Sequence, residues 1–126
     1  MKYTREQKIG YALREMGINA SNKGYRYLKV AIGAVMDKPS MIDNITKELY
    51  PRIAEVCDTT PQRVERAIRH AIESSWMEVP MKLVESVFGN SVKSYTGKPT
   101  NSHYIAALAE IISGYDEHPI LPKQEG

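Results

Sequence analysis

The segment Thr60-Pro61-Gln62-Arg63-Val64-Glu65-Arg66-Ala67-Ile68-Arg69-His70-Ala71-Ile72 leaves the chain little choice but a helix with one buried face. Thr60 suits the N-cap, because its hydroxyl can accept a bond from an otherwise orphaned amide of the first turn. Pro61 suits the first helical position, where its missing N–H costs nothing and its φ is already helical. Val64, Ile68, Ala71, Ile72 and Ser75 then recur at helical spacing on one side. Gln62, Arg63, Arg66, Arg69, His70 and Glu73 fall on the other. Arginines in the first turns oppose the helix macrodipole, which favours anions at that end. Their placement therefore points to a partner outside the fold, and a DNA recognition helix reads bases from this same N-terminal part.

The preceding residues fit. Leu49 to Cys57 reads as a short helix with Pro51 at its first position, and Asp58-Thr59-Thr60 as a polar connection. Ile53 and Ala54 are expected to pack against Val64 and Ile68, with Ala54 small enough for a close approach. Asp58 is the candidate for a left-handed turn residue, since Asp tolerates that region better than most. This is a helix-turn-helix pattern near residues 51–76. Two packed helices in any small bundle share this pattern, so it does not by itself establish DNA binding.

The remainder also reads as helix. Thr4-Arg5-Glu6-Gln7 is a capping box, followed by a stripe of Ile9, Ala12, Leu13 and Met16 and a stop at Gly17. A second helix runs from about Lys23 to Asp37 with Tyr25, Leu28, Ala31, Ile32 and Val35 inward. Lys38-Pro39-Ser40 breaks it, and a third helix carries Ile42, Ile45 and Leu49 up to Pro51. Pro80 opens a helix with Leu83, Val84, Val87 and Phe88, closed by Gly89. Residues 90–99 read as a loop. Thr100 or Asn101 caps a last helix with Ile105, Leu108, Ala109 and Ile112 inward. Residues 116–126 read as a frayed, disordered tail. No stretch alternates with period two, so the fold class is all-α: one compact helical domain over residues 1–115, with six or seven helices.

With 126 residues, 42% hydrophobic and 25% charged, the chain can bury a core of its own. No apolar run approaches the ~20 residues needed to span a bilayer, and the N-terminus has no export signal core. The single cysteine, Cys57, suits a reducing cytoplasm and reads as a small core residue. It has no histidine or second cysteine at metal spacing, so neither metal nor cofactor is expected. The three histidines are scattered, and there is no phosphate loop, nucleophile elbow or carboxylate pair, which excludes the common enzyme signatures. A net charge of +2 is too small to argue for nucleic acid by itself; the clustering of Arg63, Arg66 and Arg69 carries that argument.

Four motifs, in order, go further: Lys23-Gly24-Tyr25-x-Tyr27-Leu28; Ile45-Thr46-Lys47-x-Leu49-Tyr50-Pro51-x-Ile53-Ala54; Thr59-Thr60-x-x-Arg63 through Glu73; and Lys98-Pro99-Thr100-Asn101-Ser102. From about Ile9 to Ile112 the chain resembles the C-terminal DNA-binding effector domain of the master response regulator of endospore formation in Firmicutes. The resemblance implies a six-helix fold. It implies major-groove binding of double-stranded DNA at TGTCGAA-like boxes, often as head-to-tail dimers on tandem boxes, and contact with an RNA polymerase sigma factor. Carried over, it names Arg63, Glu65 and Arg66 as base contacts. That agrees with the chemistry of arginine on guanine and carboxylate on cytosine N4. Gln62, His70, Lys93, Lys98 and Asn101 are the candidate phosphate-backbone contacts.

Two departures accompany the resemblance. The full-length family member carries a receiver domain, whereas only Met1 to Lys8 precede the first core position here. The chain is then expected to be either an excised domain or a receiver-less relative. Met77-Glu78-Val79-Pro80-Met81 also replaces a polar turn that leads to the sigma-factor helix. The rival reading is a protein-interaction decoy that dimerises with a full-length regulator through exposed Ala106, Ala107 and Ile111.

Overall fold

The computed structural model describes residues 3–89 and 97–114, and the expected tail and Lys93 lie outside them. Among the described residues there are six α-helices and no strand: α1 Arg5–Glu15, α2 Lys23–Asp37, α3 Tyr50–Cys57, α4 Pro61–Trp76, α5 Met81–Phe88 and α6 Asn101–Ser113. Their starts follow local chemistry. The Thr4 hydroxyl accepts from the Gln7 amide at 3.1 Å, while Gln7 Oε1 accepts from the Thr4 amide at 2.9 Å, completing the capping box. Asn22, Thr60 and Thr100 cap α2, α4 and α6 in the same manner with one side-chain bond each.

Helix α2 is the central element and packs on α1, α3, α4 and α6. The stripes meet in one core, in which Leu13, Leu28, Ile32, Ile53, Ile68, Ile105 and Leu108 are wholly inaccessible. Trp76 and Phe88 meet edge to face at 5.5 Å and close the end of this core beside α6.

The segment before Pro51 differs from the expected α-helix. Pro39–Asn44 forms a 3₁₀ turn, and Ile45–Leu49 a π turn in which the Tyr50 amide donates to the Ile45 carbonyl, five residues back. Pro51 supplies the reason. It has no N–H for the Lys47 carbonyl, and its ring would collide with that carbonyl in regular α-geometry, so the turn widens. Helix α3 accordingly begins one residue earlier than expected, with Pro51 second. The α6 surface is also corrected: Ala106, Ala107 and Ile111 are half-buried, and Ala107 and Ile111 pack against the core. Because α6 is flanked by α1, α2, α4 and α5, its apolar stripe is wider than four inward positions imply.

Candidate nucleic-acid interface

The turn between α3 and α4 sets the direction of α4. Asp58 adopts the left-handed conformation (φ 56°, ψ 56°), and the Thr59 amide donates back to the Ala54 carbonyl at 2.9 Å. The Thr60 hydroxyl accepts from the Arg63 amide at 3.2 Å, and the Thr60 carbonyl from the Val64 amide at 3.0 Å. Val64, Ile68, Ala71, Ile72, Ser75 and Trp76 are all buried, so rotation of α4 about its axis is fixed. The opposite face follows from that: Gln62, Arg63, Arg66 and His70 are exposed.

Glu65 and Arg69 occupy the flank of α4 nearest Tyr50 and α6. Arg69 Nε donates to Glu65 Oε2 at 2.9 Å and Nη2 to Oε1 at 3.5 Å, a pair one helical turn apart with the acid N-terminal. The three expected base-reading residues are thus not equivalent. Arg63 and Arg66 form no ion pair with a described residue, whereas Glu65 is already engaged. A carboxylate offers about four lone-pair sites, so Glu65 retains acceptor capacity toward a cytosine amine while Arg69 holds it.

The same flank is tied to α6. Asn101 Nδ2 donates to the Tyr50 hydroxyl at 2.9 Å and to the Glu65 carbonyl at 3.2 Å, which uses both amide hydrogens inside the fold. Lys98 Nζ lies 3.4 Å from Glu73. Between these groups is a shallow concavity of about 330 Å³ that Arg69, Lys98 and the first turn of α6 line. Asn101 therefore anchors the candidate surface, and Lys98 approaches it with its charge shared. Tyr50 was not among the expected site residues, and its partners lie too far away in sequence to leave a local signal.

On the other flank, α2 meets α4 without a side chain between them. A Cβ built on Gly24 would stand 2.6 Å from the Ala67 carbonyl oxygen and 2.6 Å from the Ala71 Cβ. This contact brings Lys23 and Arg26 into one groove with Arg63, Arg66 and His70. Sequence reasoning passed over Lys23 and Arg26; the available signal was the glycine beside Lys23 in the first turn of a helix, where a close backbone approach is a common reason for it.

Fold and surface together define the class: an all-α domain that presents one cation-bearing helix at its face. Residues 9–112 match the family described as Sporulation initiation factor Spo0A C terminal. The chain belongs to that family, the DNA-binding output domains of sporulation regulators, which is not an enzyme family. Among the described residues no helix is long and apolar enough to cross a membrane.

Proposed function

We propose that α3 and α4 act as a helix-turn-helix, with α4 entering the major groove of a TGTCGAA-like box to regulate transcription. The observation that carries this reading is the pair of exposed arginines, Arg63 and Arg66, on the first two turns of a helix whose other face is fully buried. Each pairs with guanine O6 and N7, and Glu65 accepts from cytosine N4 while Arg69 steadies it. Gln62, His70, Lys93, Lys98 and Asn101 serve the sugar-phosphate backbone, Asn101 by exchanging one of its internal partners. Binding as a dimer on tandem boxes completes the reading. So does a sigma-factor contact at α5 and the corner leading into it, where Met81 and Met77 are 48% and 88% exposed. The decoy alternative draws on α6 residues that are half-buried against the core, and the geometry gives it no support.

The test is a gel shift of the purified chain on a box duplex and a scrambled duplex. Arg63→Ala and Arg66→Ala should each lower the box-to-scrambled ratio by about 5- to 150-fold, from ~1–3 kcal/mol per bidentate pair. Circular dichroism should be unchanged, because both side chains point away from the core. Retention of the full box preference by both variants would refute the assignment.

A further inference from the structure

We propose that Lys23 and Arg26, in the first turn of α2, form a phosphate clamp for the DNA strand bordering α4 on the α2 side. The proposal rests on the DNA-binding reading above and extends it to an element outside the α3–α4 pair.

Position comes first. Gly24 touches the Ala67 carbonyl and Ala71 with no room for a side chain. The first turn of α2 is thereby held against the middle of α4, and Lys23 and Arg26 project beside Arg63, Arg66 and His70 along a groove of about 570 Å³. Asp58 is the acid among the groove residues, against four permanent cations. All four cations are exposed, and none forms an ion pair with a described residue.

The two flanks of α4 differ. Toward α6, Arg69 is neutralised by Glu65 and Lys98 by Glu73. Toward α2 the four cations form no ion pair with a described residue and outnumber Asp58, so the positive charge is concentrated on that side. Stability of the fold does not account for this arrangement. The first turn of α2 contains no acid, and Lys23 stands at the positive end of the helix, where the macrodipole repels it. An anionic polymer running along the groove turns the same arrangement favourable. With α4 in the major groove, the strand beside it carries phosphates past the α2 turn, and such contacts set register without reading sequence.

The measurement is fluorescence anisotropy of the full chain on box and scrambled duplexes across roughly 50–200 mM salt, the range over which phosphate contacts dominate the dependence. Lys23→Ala and Arg26→Ala should each reduce the slope of log affinity against log salt by about 0.9, the loss of one phosphate contact. Both should weaken the two duplexes by the same factor, leaving the box-to-scrambled ratio intact. Arg26→Lys should restore the slope, which a merely structural role would not require. Wild-type slopes in both alanine variants, with wild-type box preference intact, would overturn the clamp and leave the DNA reading standing. Wild-type chain that binds neither duplex at any salt would overturn the DNA reading and the clamp with it.

Discussion

Gly24→Ala is the substitution that bears most directly on the geometry of this domain. The added methyl would sit 2.6 Å from a backbone carbonyl oxygen and 2.6 Å from the Ala71 Cβ. Carbon contacts are comfortable at about 3.5–4.0 Å, so α2 and α4 must separate by about 1 Å or tilt. Neither obstacle is the movable end of a long side chain. Overpacking of this kind costs about 1–3 kcal/mol. Against it stands the helix preference of alanine over glycine, about 1 kcal/mol in a helix interior and less in a first turn. The crowding wins, with a net loss of about 1–2 kcal/mol. At about 4 °C per kcal/mol for a domain of this size, Tm falls by about 4–8 °C in a thermal melt followed by circular dichroism. The separation also moves Lys23 and Arg26 away from Arg63 and Arg66, so the salt slope of DNA binding should fall while base preference survives. An unchanged or raised Tm would refute the reasoning, because helix propensity would then outweigh the contact.

Two further outcomes follow from buried polar groups. Asn101→Ala removes the donor to the Tyr50 hydroxyl and a second donor to the Glu65 carbonyl, which keeps its intrahelical bond, so urea denaturation should show a loss of about 1 kcal/mol, whereas a residue that served DNA alone would leave the midpoint unchanged. Alkaline pH should also weaken the fold. Burial, the largest cause in each case, raises the phenol pKa of Tyr104 and Tyr50, and for Tyr50 the Asn101 bond partly offsets it. The unfolded chain ionises these phenols near pH 10 while the folded chain resists. Their contribution is therefore complete below about pH 10 and is lost as pH rises above it. Tyr104→Phe should move the alkaline unfolding midpoint upward, and an unmoved midpoint would contradict the assignment.

Much of the fold was legible because helix starts and apolar stripes are local. Thr4 with Gln7, Thr60 with Pro61, and Asp58 in the turn act within three or four residues, and each behaves as its chemistry predicts. The widened turn before Pro51 was equally local. It escaped reading because the apolar positions Ile42, Ile45 and Leu49 fit an α-stripe, while the deciding effect was a proline acting backwards on the preceding carbonyl. At the candidate site, Arg63, Arg66 and His70 lie where the stripe put them, since burial of one helical face dictates the exposure of the other.

The amino-acid sequence by itself determined the six α-helices, most of their buried faces and the arginine-bearing surface of α4, because these depend on periodicity and capping over a few residues. Only the tertiary structure decided which neighbours that surface has. Asn101 meets Tyr50 and Glu65 across separations of 51 and 36 positions. Lys23 and Arg26 reach the same groove solely because α2 crosses α4 at a glycine. The charge of a helix face is written in its own residues, but whether that charge is neutralised or reinforced depends on which other helices pack beside it, and that is settled only when the core closes.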